Sequence, residues 1–294
     1  MDEPARRTGA HRATNDHLLL TSGGAVGNEG GLLGAEPVDV GAALFALHDP
    51  HRGHERAFNR YYERDHMYAA ALLAPFTIAG QRWVATSELK QLRQPAVGPF
   101  GDITAGSYLT MFLVQAGHLA DQQAWVAEQM PSQVEAGRTF AARSVQTATV
   151  YDHVGSYRRD ADGVPPFMAL DHRYPGCVWM IVERADHEPL DAFARWLLDD
   201  FFPGRFAGTP VAIAAAFTPR PKEPWWPAAA PEVEGVGSRI AVAAFVEDDP
   251  RRIWRDVFAP LTAALAATSH GTALFVAPFI PTKPGTDAYV DELW

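Results

Sequence analysis

One predicted helix carries three polar side chains whose types and spacing suit proton transfer to a small molecule. The segment Glu55–Phe76 has the periodicity of an amphipathic helix, and Asn59, Tyr62 and His66 lie along one edge of its apolar face. Residues three and four positions apart on a helix can converge. An imidazole with a pKa of about 6.5 exchanges protons near neutral pH, and a phenol can stabilise a developing oxyanion. The pattern predicts His66 and Tyr62 as catalytic residues and Asn59 as a substrate contact.

Further side chains from the same helix and from the predicted strands complete this candidate site. His48 ends the first predicted strand and His153 ends the fourth, so both could point into the pocket of His66. Asp65 lies in the middle of the apolar face, and its recurrence as Asp200 in a later helix favours a structural role over catalysis. The predicted substrate-binding residues are Asn59, Tyr61, His48, His153, Asp65, Trp83 and Phe112.

Apolar runs and amphipathic stretches predict the elements that position these residues. Strands are predicted over 42–48, 81–87, 107–115 and 144–153, with helices over 55–76 and 118–130, the second ended by Pro131. Further strands are predicted over 177–182, 209–218, 238–246 and 272–279, with helices over 190–202 and 249–267. Each half therefore has the order strand, helix, strand, strand, helix, strand.

The two halves also match at residue level. The pattern FxRYxxxD at 58–65 corresponds to FxRWxxxD at 193–200, a constant offset of 135 positions (58 to 193, 65 to 200). This match indicates an internal duplication. The three polar residues have apolar counterparts at that offset: Ala194 for Asn59, Leu197 for Tyr62 and Phe201 for His66. We therefore expect the chemistry in the first half and a structural role for the second.

The first helix resembles that of the ferredoxin-like dimeric α+β barrel superfamily, which includes polyketide cyclases, muconolactone isomerase-like enzymes and EthD-like proteins. Many members share a helix motif of the form F-N-x-[WY]-Y-x-x-x-H, and this chain has FNRYYERDH over 58–66. The resemblance implies an α+β fold of two tandem ferredoxin-like βαββαβ repeats, packed sheet to sheet as an intramolecular barrel. It also implies a ligand pocket between the sheet and the helices of one repeat, lined by His66 and Tyr62.

This interpretation divides the chain into four parts. They are a flexible N-terminal tail at 1–40, a first repeat at 41–154 that holds the active site, a linker at 155–175 and a structural second repeat at 176–294. In the long loop 219–237, Trp225 and Trp226 are predicted to fill the gap between the halves. Capping of an apolar ligand is the alternative role for the pair.

Composition limits the partners and the compartment. The net charge is −10 and no basic cluster is present, so a nucleic-acid partner is not expected. No apolar run is long enough to span a bilayer, so no membrane partner is expected either. The histidines between 48 and 54 lack the spaced carboxylate of a metal site, and no metal is expected. We expect a cytoplasmic protein that is a monomer or a homodimer.

These observations predict an enzyme that acts by acid/base catalysis on a hydrophobic, carbonyl-containing metabolite, in a cyclase, dehydratase, isomerase or decarboxylase type of reaction. No cofactor is expected for such chemistry. Two alternatives remain open. One is a non-catalytic binding protein for an apolar metabolite. The other is a haem- or oxygen-dependent enzyme, because related barrels bind haem in aldoxime dehydratases and chlorite dismutase-like proteins, and His270 before the last strand is then the candidate axial ligand.

Overall fold

A computed structural model describes residues 37–226 and 230–294. The tail predicted for 1–40 therefore falls almost entirely outside the described residues. From Val40 onward the chain alternates between long strands and helical segments, as the hydrophobic periodicity predicts. No helix within the described ranges combines the length and the apolar composition needed to cross a bilayer.

The first repeat contains four long strands and two main helical segments. Its elements are β1 (Val40–Pro50), α1 (Glu55–Tyr61) with π-helical turns at Tyr62–His66 and Tyr68–Leu72, β2 (Thr77–Val84), α2 (Ser87–Lys90), the short strands β3 (Val97–Gly98) and β4 (Gly101–Asp102), β5 (Tyr108–Gln115), α3 (Leu119–Glu135) and β6 (Arg143–Arg158). The helix α3 continues through Pro131, so the prediction that this proline ends the helix is wrong. The strand β6 runs to Arg158, into the segment predicted as a linker.

The second repeat follows the same order after a single 3-10 turn at Pro166–Met168. Its elements are β7 (Gly176–Arg184), α4 (Leu190–Trp196) with a π-helical turn at Leu197–Phe201, α5 (Phe202–Phe206), β8 (Val211–Pro219), β9 (Arg239–Val246), α6 (Pro250–Ile253) with a π-helical turn at Trp254–Phe258, α7 (Leu261–Ala266) and β10 (Gly271–Pro281). The π-helical turns after α1 and α4 lie 135 positions apart (62 to 197), which is the offset that the sequence match gives.

The strands form one closed antiparallel barrel in the order β1-β5-β2-β10-β7-β9-β8-β6. Within each repeat the order is that of a ferredoxin-like unit, with the first strand between the third and the fourth. The edges of the two sheets join through β2 with β10 and through β6 with β8. The predicted fold of two tandem ferredoxin-like repeats in an intramolecular α+β barrel is confirmed.

Alternation along β1 divides its side chains between two layers. Phe45 points into the barrel, where its ring lies 6.1 Å from that of Trp179 and 5.1 Å from that of Phe217. Ala46 and His48 face the opposite side, toward the helices of the first repeat. The barrel interior around Phe45 is thus a packed aromatic core, and the helix-covered outer face of the first sheet holds the larger cavity described below.

Candidate functional site

A cavity of about 320 Å³ lies between the outer face of β1, β5 and β6 and the helices α1 and α3. Its size falls within the range of ligand pockets, roughly 300–1,000 Å³. The polar side chains on its wall include His48, Tyr62, His66 and Arg143, and Phe112 contributes to the apolar part. Four of the sequence-predicted site residues, namely His48, Tyr62, His66 and Phe112, therefore come together here.

His66 is positioned by Tyr61 through the π-helical turn Tyr62–His66. A π-helical turn closes between residues five apart, so His66 lies over Tyr61. The two rings are stacked, with centroids 5.2 Å apart and planes inclined by 20°. The sequence analysis assumed regular α-helical spacing and therefore placed Tyr62, four positions before His66, as its neighbour. Tyr62 meets His66 edge to face at 5.0 Å, with its own ring buried in the cavity wall.

Only one tautomer of His66 satisfies both hydrogen bonds of the Tyr61 hydroxyl at once. The hydroxyl of Tyr61 donates to the backbone carbonyl oxygen of Arg138 at 3.2 Å, and that oxygen can only accept. The hydroxyl oxygen therefore accepts the proton on Nδ1 of His66, at 3.0 Å. The lone pair of the imidazole is then on Nε2, which no described residue bonds. His66 can accept a proton or bind a metal through this atom.

Both imidazoles of the cavity are held in the neutral form. Burial, and secondly the positive charge of Arg143, lower the pKa of His66 to about 4, and the nearby carboxylate of Asp65 opposes this only in part. Burial also lowers the pKa of His48 well below its usual value, with Arg143 again the second cause. Neutral imidazoles are the forms that accept protons and coordinate metals.

His48 lies in the cavity wall because the alternation along β1 places it on the same face as Leu44 and Ala46, and a β-bulge in β6 places Val145 opposite it. The pairing of β1 with β6 shifts between Leu47 and His48, after which His48 lies opposite Val145. The imidazole is 4 % exposed, and its Nδ1 has no hydrogen-bond partner in the parts of the chain that the structure describes. A buried nitrogen without a partner carries a free-energy penalty in the empty cavity, which a ligand could relieve.

Arg143 is a functional candidate that the sequence analysis missed. It opens β6 and lies opposite Pro50 in the strand ladder, at the end of the cavity nearest the two imidazoles. Its Nη1 is buried without a hydrogen-bond partner. The pairing of β1 with β6 places Arg143 near His48, although the two residues are far apart in the sequence. Spacing in the sequence does not predict this proximity.

Five of the predicted site residues do not line the cavity, namely Asn59, Tyr61, Asp65, Trp83 and His153. The amide of Asn59 is fully used, because Nδ2 donates to the carbonyl oxygen of Thr286 at 2.7 Å and Oδ1 accepts from Arg82 at 2.6 Å. Trp83 lies in the packed interior of the barrel, on the face of its strand opposite Arg82. These positions do not support substrate contacts for either residue.

His153 also lies elsewhere, because its strand alternation has the opposite sense to the predicted one. Tyr151, on the same alternating set, pairs with Ala43 on the barrel-interior face of β1, whereas His48 faces the helices. The ring of His153 bonds the carbonyl oxygen of Val40 at 3.0 Å and the hydroxyl of Ser156 at 2.9 Å. Its predicted contact with the ligand is not supported.

Asp65 has the structural role that its recurrence favours. Its carboxylate accepts hydrogen bonds from the guanidinium of Arg138, with the closest contact at 2.5 Å, and both side chains are more than one-third exposed. The residue lies on the outer side of the helix and fixes the segment whose carbonyl oxygen Tyr61 bonds. It therefore supports the orientation of His66 without lining the cavity.

Trp225 and Trp226 line the cavity, together with a neighbouring space of about 600 Å³. Gln123 lies on the walls of both spaces as well. The predicted role of this pair was to fill the gap between the halves, and ligand capping was the alternative. Their position beside both spaces supports the capping role.

No protein-family model and no curated protein sequence matches the chain. Solved structures do resemble it. An anthrone oxidase-like protein is 10 % identical with a TM-score of 0.49, over 85 % of this chain and 95 % of that one. The encapsulated DyP-type peroxidase of Mycobacterium smegmatis is 13 % identical with a TM-score of 0.45, over 88 % of this chain and 95 % of that one. At these values the likeness concerns the fold alone.

A third similar structure corrects the expectation of a cofactor-free protein. A variant of DypB from Rhodococcus jostii RHA1 in complex with haem is 11 % identical with a TM-score of 0.44, over 86 % of this chain and 94 % of that one. This finding contradicts the prediction that no cofactor is needed. Two of the three names are of oxidase or peroxidase type.

The two repeats differ in how well they fit a haem group. In the second repeat, His270 stacks on Trp196 at 4.1 Å and its Nδ1 lies 3.3 Å from Glu188. The space between the helices and the sheet there is filled by the buried side chains of Phe193 and Phe258. His270 therefore does not fit as an axial ligand. The first-repeat cavity fits better by its chemistry, because it has apolar walls and neutral imidazoles with unpaired ring nitrogens.

A metal centre of another kind has no candidate among residues 37–226 and 230–294. No group of three or more His, Cys, Asp and Glu side chains is arranged there to hold a metal ion.

Proposed function

We propose that this chain is an enzyme whose active site is the cavity of the first repeat, where His66 accepts a proton from a largely apolar metabolite that carries a carbonyl or hydroxyl group. One observation supports this proposal above the others. The hydrogen bonds from His66 to Tyr61 and from Tyr61 to the carbonyl oxygen of Arg138 leave the basic lone pair on Nε2. An oriented neutral imidazole in a ligand-sized, mostly apolar cavity is the arrangement of a general base.

The side chains of the cavity have different proposed roles. Phe112 and the indoles of Trp225 and Trp226 provide apolar surface that binds the substrate and excludes water. The proton leaves the substrate and forms a bond to Nε2 of His66, and the bonding pair stays on the substrate as an enolate or alkoxide. The hydroxyl of Tyr62 is the proposed donor to that developing oxygen charge. Isomerisation, cyclisation and dehydration all begin with such a transfer.

Loss of turnover in a His66→Gln variant tests this assignment. Purified protein would be incubated, with and without added haemin and peroxide, with a panel of aromatic ketones, β-diketones and hydroxyaromatics, and products followed by mass spectrometry. Turnover should fall by a factor of about 10²–10⁴ in His66→Gln, which is the typical contribution of a general base. The matched control is His187→Gln, in an exposed turn of the second repeat. Wild-type turnover in His66→Gln would exclude the proposed role.

The second candidate function is haem-dependent oxidation at the same cavity. The neutral imidazole of His48 or of His66 would hold the haem, and the haem would supply activation of oxygen or peroxide. His66 would otherwise hold or move a proton at Nε2. Titration of the purified protein with haemin decides this point, because an axial imidazole gives a Soret shift that His48→Ala or His66→Ala should abolish. A spectrum identical to that of free haemin excludes it.

A further inference from the structure

Arg143 is an unpaired cation in the wall of the candidate active site. Its Nη1 is buried and has no hydrogen-bond partner, and its side chain forms no ion pair with any described residue. A guanidinium has five N–H donors and stays protonated, so it cannot relieve this state by losing charge. The side chain is partly exposed, but its buried Nη1 lacks an acceptor, which is costly, and a ligand that supplies one would be favoured.

The two buried arginines of the first repeat, Arg82 and Arg93, have acceptors within the protein, although some of their nitrogens also lack a partner. Arg82 donates to Asn59 at 2.6 Å and pairs with Glu63 at 3.3 Å. Arg93 donates to three backbone carbonyl oxygens, the shortest contact being 2.6 Å to Gly106. The fold thus supplies acceptors for the guanidinium groups of arginines that have a structural role. Arg143 has no such acceptors, which separates it from the other two.

The second repeat gives an internal comparison. Arg143 opens the last strand of the first repeat, and His270 directly precedes the last strand of the second. His270 has an acidic neighbour, because its Nδ1 lies 3.3 Å from Glu188. No carboxylate of a described residue lies as close to the guanidinium of Arg143.

The remaining wall of the cavity does not supply a negative charge. No Asp or Glu is among the described residues that line it, and its polar groups besides Arg143 are neutral imidazoles, a phenol and the amides of Gln122 and Gln123. The chain as a whole carries a net charge of −10. A cavity with one net positive charge inside an acidic protein selects a ligand with one negative charge.

We infer that the substrate is an apolar acid whose carboxylate is received by the guanidinium of Arg143, an inference that rests on the proposed function and names the substrate class of its site. A guanidinium binds a carboxylate through parallel N–H donors, with fixed orientation. The acid group is held at the β6 end of the cavity, and the apolar body lies along Phe112 and the indoles of Trp225 and Trp226. This placement presents the substrate beside the imidazoles of His48 and His66.

An acidic substrate also explains how His66 could act as a base. The positive charge of Arg143 is the second cause of the low pKa of His66, after burial. A bound carboxylate offsets that charge and raises the pKa of His66 toward neutrality, so the imidazole becomes basic when the substrate is present. By linkage, protonation of His66 should then strengthen binding of the acid.

Paired probes test the inference without a known substrate. Binding of naphthalene-2-carboxylate and of the isosteric naphthalene-2-carboxamide to the full chain would be measured by calorimetry at neutral pH. We expect the wild type to bind the carboxylate at least ten times more tightly than the amide. Arg143→Gln should lose that preference while it binds the amide as the wild type does. The matched control Arg195→Gln, on an exposed face of the second repeat, should keep the preference.

The outcomes separate this inference from the proposed function. Equal binding of the two probes to the wild type, including failure of both to bind, would overturn it, as would an intact preference in Arg143→Gln. If Arg143→Gln does not fold, Arg143→Lys keeps the charge, and a retained but weaker preference there supports the inference. His66→Gln should still prefer the carboxylate. Loss of turnover in that variant tests the base, and loss of preference in the Arg143 variants tests the substrate class.

Discussion

The chemistry of the candidate site depends on which atom of His66 carries the proton. The hydroxyl of Tyr61 has a single proton, and it donates this proton in a hydrogen bond to the carbonyl oxygen of Arg138. The remaining contact, between Tyr61 and Nδ1 of His66, must then use the proton of the imidazole. Tyr61 is therefore a positioning residue, while Tyr62 lies in the cavity wall. The two neighbouring tyrosines thus have different roles, because the wide π-helical turn brings His66 over Tyr61 and not over Tyr62.

Replacement of Tyr61 with Phe removes this constraint and keeps the stacked ring. We expect the share of His66 protonated on Nδ1 to fall, because nothing then holds the proton there, with a stability loss of about 1 kcal/mol or less. Long-range nitrogen–proton NMR correlations of the imidazole at neutral pH report the tautomer. Tyr68→Phe, on the exposed side of the same helical segment, is the control and should leave the tautomer unchanged. An unchanged tautomer in Tyr61→Phe would contradict the assigned hydrogen bonds.

The helical layers of the two repeats have the same order of elements and opposite uses. Both helices include a π-helical turn at the corresponding place, Tyr62–His66 and Leu197–Phe201. In the first repeat this layer encloses a cavity, and in the second it packs against the sheet. The counterparts Leu197 and Phe201 are buried among other apolar side chains. The second repeat therefore contributes core packing in place of a ligand site.

Truncation of Leu197 to Ala measures this contribution. Leu197 is fully buried, so its loss should cost about 2–5 kcal/mol in the free energy of unfolding, through lost burial and the cavity that is left. Urea denaturation of the two proteins gives the difference. Leu73→Ala, at a position 68 % exposed in the first repeat, should stay within about 0.5 kcal/mol of the wild type. Similar small losses in both variants would show that the second helical layer is loosely packed.

Closure of the barrel joins residues that the sequence keeps far apart. Local periodicity predicted the order of the elements and the 135-residue offset, because burial on one face leaves a pattern in the sequence. The π-helical turn leaves no such pattern, so the stacking of His66 on Tyr61 was not predicted. The bulge in β6 leaves no pattern either, so the position of Arg143 was missed. The register of β6 against β1 decides that Arg143 reaches the cavity and that His153 does not. Such long-range pairing is set by the whole barrel.

The protonation of the cavity also couples to the folding of the whole chain. The pKa of His66 is about 4 in the folded protein and about 6.5 in the unfolded chain. As pH falls from 7 to 4, the unfolded chain takes up a proton that the folded chain refuses, so stability decreases. The shift corresponds to roughly 3 kcal/mol at the acidic end. His48 acts in the same direction, while Asp65 opposes the cations of Arg143, Arg138 and Arg82.

Urea denaturation at several pH values between 7 and 4 tests this coupling. The wild type should lose stability steadily over that range, and His66→Gln should lose roughly 3 kcal/mol less, because glutamine does not titrate. His187→Gln, with its exposed side chain, should follow the wild type. A His66→Gln variant with the acid sensitivity of the wild type would mean that the pKa of the imidazole is the same in the folded cavity and in the unfolded chain. That result would contradict the lowering of this pKa by burial and by Arg143.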